Sequence, residues 1–431
     1  MHTGIRTRRK NNPVYRKDTL SNGIRVVSET LPKSRSVSIG VWVKVGSRHE
    51  PEEIGGVSHF IEHLFFKGTE KRTAKDIAIE MDSIGGEMNA FTSQETTTYY
   101  AKVVDEHLPT AIDILSDILL SSKFDPVEMD KERKVILEEI KSVEDTPDDY
   151  IHELITSTVW PDNSLGRPIL GTKETIKGLK HNDIISYIEH YYSPKEIVIS
   201  VAGNFEHARL IELLNASFGK LVRTGVAKTD VTPVFMHAVG VKKKQLEQVQ
   251  VCIACKGLHY THEDRFVISA LNTVLGNSMS SRLFQEIREQ NALVYSIYSY
   301  VTSYRDTGLL TVYAGMDPSN ALEVVRLVTK ELKKIKDEGI THAEETRVRN
   351  QIKGSLVLSL ESSNSHMSRL ARQEIYFGKY LSMDDIIKGV EKVTAEQVQN
   401  LARQLFTREN MSLTILGPLN KADVPEGVLG V

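Results

Sequence analysis

Two histidines and a glutamate lie close together in the segment HFIEH, residues 59–63. On a helix, residues four apart project from one face, so the imidazoles of His59 and His63 can bind one metal ion. Glu62 shares that face, where its carboxylate can take a proton from a water molecule that the ion activates. The order HxxEH is the inverse of HExxH, and both orders occur in zinc enzymes. The segment therefore predicts a metal site, with ordinary core or surface histidines as the alternative.

A catalytic zinc ion takes three protein ligands, so we expect a third ligand on a neighbouring element. The pair Asp125-Pro126 joins a capping residue to a proline at the first helical position, which predicts a helix beginning there. Glu132 and Glu139 lie two turns apart on one side of this helix, beside its apolar stripe. Glu138 shares a stripe with lysines, which is typical of a solvent-exposed surface. The spacing selects Glu139 as the third ligand and Glu132 as a group that supports the site.

The elements that would hold these residues follow from the periodicity of the sequence. Alternating apolar residues indicate half-buried strands, a period of 3.6 indicates helices, and paired glycines mark a helix end. The predicted elements are a strand over 36–47, the helix that carries HFIEH, a helix over 74–84, strands over 87–93 and 96–104, and a long helix from Glu106.

The same order of elements recurs from about residue 247. Gly46 corresponds to Gly257, and the apolar run over 197–205 to that over 411–419, at a nearly constant offset of 211 to 214 residues. Such a repeat predicts two copies of one supersecondary arrangement. We therefore predict an α+β fold of two similar α/β sandwich units, each a mostly antiparallel sheet packed with helices.

The repeat also indicates which half carries the chemistry. At the same offset, the positions of His59, Glu62 and His63 hold residues that keep none of this ligand chemistry; they are Ala270, Thr273 and Val274. The predicted segments are a basic N-terminal tail (1–17), a catalytic zinc-binding domain (18–220), a linker (221–235) and a second domain without metal ligands (236–431).

The composition excludes several classes of protein. The 431 residues are 40% hydrophobic and 26% charged, which is typical of a globular chain of two or three units. A net charge of −3 and a pI of about 6.6 suggest neither a nucleic-acid nor an anionic-membrane partner. Cys252 and Cys255 lie in a strand-like run, where residues three apart face opposite ways, so we expect two core cysteines.

The first sixteen residues are basic and contain no acid. They lack the apolar stretch of a secretory signal, and Asn11-Asn12-Pro13 disfavours the amphipathic helix of a mitochondrial presequence. We therefore expect a basic tail and a cytoplasmic location in a bacterium, with the mitochondrial matrix as the alternative.

Four motifs together resemble the pitrilysin/insulinase family, and within it the two-domain processing peptidases. They are GGVSHFIEHLFFKGT, GGEMNAFTSQETTTYYAKV, ERKVILEEI and SSRLFQEIREQNALVYSIYS. The resemblance covers the chain from about residue 18. It implies one zinc ion bound by His59, His63 and Glu139, with Glu62 as general base and Glu132 as a supporting acid.

The resemblance also implies how a substrate would bind. The strand at 87–93 would be an open sheet edge to which a peptide adds as a further strand, with contacts from Asn89 and Ala90. A polar residue beside a turn is the alternative for Asn89.

Two further pairs match family positions that contact the substrate. Asp149 and Glu153 lie where the processing enzymes place acids that hold a basic residue, although a plain acidic surface run is an equal alternative. Arg288 and Tyr295 match an Arg and a Tyr that reach the substrate and the developing oxyanion. A helix-end Arg and a core Tyr are their alternative.

The sequence thus predicts a zinc-dependent endopeptidase that acts on extended peptides, with a preference near basic residues. The stretch LGNSMSSRL has one glycine, whereas non-catalytic partner subunits carry a glycine-rich loop there. The chain therefore resembles the catalytic beta subunit of mitochondrial processing peptidase, or its bacterial relatives. The rivals are an inactive structural subunit and a peptide-binding protein. The resemblance further implies a homodimer, or a dimer with a related subunit.

Overall fold

The computed structural model describes residues 14–228 and 231–430, which pack into two compact units. The first unit comprises residues 14–140, 169–228 and 359–380, and the second comprises residues 141–168, 231–358 and 381–430. Most of the predicted basic tail, residues 1–13, lies outside the described residues. Residues 14–17 were predicted to belong to that tail, but they begin the first strand instead, because they pair in register with Val27–Thr30.

The strands form one sheet in each unit. In chain order they are β1 (Val14–Thr19), β2 (Arg25–Thr30), β3 (Ser36–Val43), β4 (Glu87–Thr92), β5 (Thr97–Val104), β6 (Ile197–Gly203), β7 (Val239–Lys243), β8 (Val249–Lys256), β9 (Ser296–Ser303), β10 (Gly308–Met316) and β11 (Met411–Gly417). Among the described residues, the first sheet has the order β1-β2-β6-β3-β5-β4 and the second the order β7-β11-β8-β10-β9.

The helices cover the faces of these sheets. In chain order they are α1 (Val57–Phe65), α2 (Ala74–Ser83), α3 (Leu108–Ser121), α4 (Pro126–Asp145), α5 (Pro147–Val159), α6 (Lys173–Gly178), α7 (His181–Tyr191), α8 (His207–Ser217), α9 (Arg265–Leu275), α10 (Ala321–Glu338), α11 (His342–Ser359), α12 (Ser363–Arg372), α13 (Met383–Glu391) and α14 (Ala395–Leu405). Two π-helical segments span Phe284–Gln290 and Gln373–Phe377. None of the described helices has both the length and the apolar character needed to cross a bilayer.

The two sheets share one topology. Strands β2-β6-β3-β5-β4 correspond in order to β7-β11-β8-β10-β9, and in each set the first pair is parallel and the others are antiparallel. The predicted fold class, two similar units of mostly antiparallel sheet and helices, is confirmed. Among the described strands, β1 has no counterpart in the second sheet, and it extends the first sheet beyond β2.

Both faces of β3 are buried, whereas the sequence predicted a half-buried strand there. Val37, Ile39 and Val41 face the larger core, which contains the apolar residues of α1, α3 and α7. Trp42, on the opposite face, packs with Leu370 of α12. The intervening small residues allow α12 to approach: a Cβ on Gly40 would lie 2.5 Å from Met367 Sδ, and Ser38 Oγ lies 2.9 Å from Ser363 Oγ.

The second unit is built in the same way. One face of its sheet packs against α9, α10 and α14, and the other packs against Ile151, Ile155 and Val159 of α5. Cys252 and Cys255 are buried in different clusters on these two faces, as predicted for core cysteines. In each unit, the helix that covers this second face of the sheet comes from the other half of the sequence. It is α12 in the first unit and α5 in the second. This exchange was not part of the predicted boundaries at 220 and 235.

Candidate metal centre

Helix α1 carries the HFIEH segment, and its start is fixed by two features. Gly56 adopts a left-handed φ of 92° immediately before the helix, and a Cβ at this position would meet the Leu170 carbonyl at 2.6 Å. Glu50 caps the helix: its carboxylate accepts hydrogen bonds from the backbone N–H groups of Gly56 (2.7 Å) and Ser58 (2.8 Å). A negative charge at a helix N-terminus also complements the helix dipole. The helix buries Phe60 and its other apolar residues in the core, which leaves the polar face toward α4 and β4.

The three predicted ligands come together in the first unit. His63 Nε2 lies 3.6 Å and His59 Nε2 lies 3.9 Å from Glu139 Oε2. Zinc–ligand bonds of about 2.0–2.2 Å in a tetrahedral arrangement place ligand atoms about 3.3 Å apart, close to these separations. Across the described ranges 14–228 and 231–430, these three side chains form the one group of His, Cys, Asp or Glu positioned to share an ion.

One ligand atom of this cluster lacks a protein partner. Glu139 Oε2, which faces the Nε2 atoms of both imidazoles, is buried and has no hydrogen bond among the described residues. A buried carboxylate oxygen without a partner is costly unless a cation fills the gap. Burial, together with the neighbouring His63, lowers the pKa of His59 to about 3, so its ring is neutral and keeps a lone pair for a metal ion. The residues present therefore fit a bound zinc ion.

Glu132, predicted to support the site, contacts one of the imidazoles. Its Oε2 lies 3.0 Å from His63 Nδ1, and because an ionised carboxylate can only accept, Nδ1–H is the donor and Nε2 is left for the ion. Lys67 Nζ contacts Glu132 Oε1 at 2.8 Å. Glu132 is 5% exposed, so this ammonium group offsets a charge that would otherwise be buried alone. Glu138, the neighbour of Glu139 on α4, is exposed, as predicted.

Glu62 lies beside the cluster, and its carboxylate is held from the sheet. Thr92 Oγ1, at the end of β4, donates a hydrogen bond to Glu62 Oε2. Burial raises the pKa of Glu62 and Glu139 raises it further, whereas the hydrogen bond from Thr92 and the nearby His63 oppose the shift. A carboxylate with a raised pKa is better suited to accept a proton and release it again.

Strand β4 is an edge strand, as predicted, because it pairs with β5 alone among the described strands. Its residues alternate in burial. Ala90 and Thr92 are half-buried, and Thr92 contacts Glu62, so this face of the strand looks toward the cluster. Asn89 points to the opposite, exposed face, and its Oδ1 accepts a hydrogen bond from the Ala90 N–H at 2.8 Å.

The other predicted substrate residues belong to the second unit. Asp149 and Glu153 lie on α5, where Asp149 is exposed and Glu153 is half-buried. Arg288 lies in the last turn of the π-helical segment Phe284–Gln290, and its guanidinium lies over the Phe284 ring at 4.9 Å. Tyr295 immediately precedes β9 and is 68% exposed, so it is not the core tyrosine that was its alternative.

The sequence analysis did not identify Glu50, Lys67 and Thr92. Glu50 lies six residues before Gly56, outside the N-cap and first-turn positions at which a capping acid is expected, so no local pattern marks it. Thr92 lies two residues after Ala90 and therefore shares its face of the predicted strand. No local pattern distinguishes Lys67, which follows α1, from a surface lysine, because its partner Glu132 lies on α4.

Comparison with known proteins agrees with this architecture. The sequence model described as Insulinase (Peptidase family M16) matches residues 25–173, and that described as Peptidase M16 inactive domain matches residues 178–352. The half that carries the HxxEH helix thus matches the first model. The chain belongs to the insulinase family, peptidase family M16.

Its relatives include proteins named uncharacterized zinc proteases. That of Bacillus subtilis is 46% identical over 400 residues, which cover 93% of this chain and 97% of the relative. That of Streptomyces coelicolor is 40% identical and covers 94% of this chain and 90% of the relative.

Solved structures share the fold at lower identity. A protease from Helicobacter pylori has a TM-score of 0.88 and 24% identity, over 94% of this chain and all of that chain (100%). A chain of complex III2 from Candida albicans has a TM-score of 0.82 and 20% identity, over 94% of this chain and 97% of that chain.

Proposed function

We propose that this protein is a zinc-dependent endopeptidase that hydrolyses extended peptides. The observation that carries the proposal is the buried, unpartnered Glu139 Oε2, which faces the Nε2 atoms of His59 and His63 while Glu62 lies alongside. The names of the relatives support the same reaction class. Glu132 would hold His63 in the orientation that binds the ion.

The chemistry divides between the ion and the protein. When bound, zinc supplies a Lewis acid that polarises the scissile carbonyl and acidifies water. Glu62 takes the proton of the attacking water and passes it to the leaving amine, and its raised pKa suits both steps. Tyr295 and Arg288 are proposed to contact the substrate, and an exposed tyrosine can donate to the developing oxyanion.

An extended peptide is the proposed substrate because β4 has an unpaired edge. Peptides commonly add to such an edge as a further strand, through backbone hydrogen bonds. The Ala90 N–H is bonded by the Asn89 side chain, so a peptide carbonyl could take the place of Asn89 Oδ1. The half-buried face of β4 would then direct alternate substrate residues toward Glu62.

We propose that the acids of α5 give the enzyme a preference for cleavage near basic residues of the substrate. Burial, then Glu144 and then Asp149, raises the pKa of Glu153 to about 7. Carboxyl groups that repel one another in this way are stabilised by a cation. Replacing Asp149 or Glu153 should therefore reduce the discrimination between a substrate arginine and a neutral residue.

Cleavage of a fluorogenic peptide library by the purified, zinc-loaded protein tests the proposed reaction. We expect cleavage that stops with a chelator and returns with zinc. Glu62→Gln should retain zinc but lose at least about 10²-fold in kcat, because the general base is removed. Peptide binding without cleavage would favour a binding protein, and neither binding nor cleavage would favour a structural subunit.

The zinc ligands are tested by a matched pair of variants on one helix. Glu139→Gln should weaken zinc binding by more than about 10-fold, because a charged ligand is lost. Glu138→Gln removes the same charge from the exposed side of α4 and should leave zinc affinity unchanged. Chelator competition measures both, and the reverse ranking would contradict the assignment.

The working enzyme is proposed to be a dimer, of identical chains or of related ones, as the resemblance to the processing peptidases implies. Light scattering on the active fraction checks this, and full activity in a monomer would contradict it.

A further inference from the structure

We propose that Thr92 is a positioning residue, which holds the Glu62 carboxylate in the orientation needed for proton transfer. The catalytic effect of Thr92 rests on the proposed peptidase function, whereas the hydrogen bond between Thr92 and Glu62 does not. Thr92 Oγ1 lies within hydrogen-bond distance of Glu62 Oε2, and an ionised carboxylate can only accept, so the threonine hydroxyl is the donor.

Both ends of this hydrogen bond are anchored. Thr92 is paired with Thr97 across the β4–β5 ladder, and the turn that follows is closed by the Ser93 N–H bonded to the Thr96 carbonyl at 2.8 Å. Threonine is also stiff at χ1 because it is branched at Cβ. Glu62 in turn projects from α1, whose start is held by Glu50. The hydroxyl therefore points from one fixed element to another.

The hydrogen bond assigns different tasks to the two carboxylate oxygens. Oε2 is occupied by Thr92, so Oε1 is the oxygen left for the proton of the attacking water. A glutamate has three rotatable bonds, and without this contact its head group could turn among several orientations. General-base catalysis requires the base within about 2.6–3.2 Å of the proton it removes, so lost orientation should lower the rate of the chemical step.

The competing explanation is that Thr92 only satisfies a half-buried carboxylate and contributes to stability. Two variants separate these roles. Thr92→Val keeps the size and the branched Cβ but removes the donor, whereas Thr92→Ser keeps the donor. Thr98→Val is the matched control: Thr98 is a buried threonine of the neighbouring strand whose Oγ1 has no partner among the described residues.

The kinetic test compares these proteins at saturating zinc with one peptide substrate. We expect Thr92→Val to lose about 10-fold or more in kcat with KM within about 3-fold of the wild type. Thr92→Ser should retain most of the activity, and Thr98→Val all of it. Zinc affinity, measured by chelator competition, should stay within about 3-fold throughout. Wild-type kcat in Thr92→Val, or an equal loss in Thr92→Ser, would overturn the proposal, and so would a parallel loss of zinc affinity.

A double-mutant cycle on the metal-free protein tests the contact without any reference to activity. Thr92→Val should lower the stability to urea in the wild-type background and have much less effect in a Glu62→Ala background, because the acceptor is then absent. Additive effects would show that the two side chains are not coupled and would overturn the proposal. If the wild-type protein cleaves no peptide, the peptidase proposal fails, while this cycle still decides whether Thr92 holds Glu62.

Discussion

Glu153 is a carboxyl group whose surroundings favour its protonated form. It is partly buried on α5, with Glu144 and Asp149 as acidic neighbours, and these causes raise its pKa from 4.5 to about 7. At neutral pH it is therefore only partly ionised. A bound cation would favour the ionised form, so the affinity of this site for a basic residue should rise with pH through 7.

The same shift predicts a pH-dependent stability. The pKa of Glu153 is higher in the folded state than in the unfolded state. Its contribution to the free energy of unfolding is therefore complete below pH 4.5 and is lost as the pH rises through 7. Glu153→Gln stays neutral, so it should unfold at the same urea concentration as the wild type below pH 4.5. At pH 8 it should be more stable by about 1–2 kcal/mol, after allowance for solvent screening. Exposed Glu289→Gln is the control, and equal curves for all three proteins at pH 8 would contradict the prediction.

For individual residues, the sequence was sufficient where helix geometry alone determines which side chains share a face. The i, i+4 spacing brings His59 and His63 together, and the stripes of α4 separate Glu139 from Glu138. It could not identify Thr92 or Lys67. Their partners lie on other elements, and a hydrogen bond between a strand and a helix depends on how closely the two pack.

At the scale of elements, α1 is a short helix that depends on its surroundings. Its nine residues, Val57–Phe65, are fewer than the roughly 12–15 needed for an isolated helix to be even marginally stable in water. Its stability must come from core packing and from the Glu50 carboxylate, which accepts two of the N–H groups at its start.

Glu50→Ala should therefore destabilise the protein by about 1–3 kcal/mol, because two buried N–H groups lose their acceptor. It should also weaken zinc binding, since the start of α1 sets the position of His59. Exposed Glu53→Ala, three residues further along the same approach to the helix, is the control. Urea unfolding and chelator competition measure the two effects, and wild-type values in Glu50→Ala would show that the cap is dispensable.

Most elements could be predicted from the sequence, because strong periodicity and glycine or proline signals mark their ends. The predicted helix over 74–84 is α2, and the predicted strands over 87–93 and 96–104 are β4 and β5. What could not be predicted was the burial of both faces of β3. Ser38 and Gly40 read as a solvent-facing side, yet their small size is what allows a helix to pack there.

At the scale of the whole molecule, each unit is completed by a segment from the other half of the chain. The first unit includes residues 359–380, and the second includes residues 141–168. In the first unit, Leu370 and Ala371 of α12 cover Val27, Trp42 and Val198. A fragment that ends at residue 220 lacks these contacts.

We therefore expect the fragment 1–220 not to fold stably by itself and not to bind zinc with the affinity of the full chain. Mixing it during refolding with the fragment 235–431 should restore both properties, because α12 can then pack on the first sheet and α5 on the second. Circular dichroism and chelator competition on each fragment and on the mixture check this. Cooperative unfolding and full zinc affinity in 1–220 alone would contradict it.

The exchange of α5 and α12 also bears on how the repeat arose in evolution. The two helices occupy equivalent places in the repeat, so a gene duplication accounts for both. In an ancestor with a single copy, one face of the sheet would have been uncovered unless two chains exchanged this helix. Such an exchange forms a domain-swapped homodimer. The present chain is then the fusion of such a pair into one gene. Once both copies were inherited together, one set of metal ligands was enough, and the positions of His59 and His63 could become Ala270 and Val274.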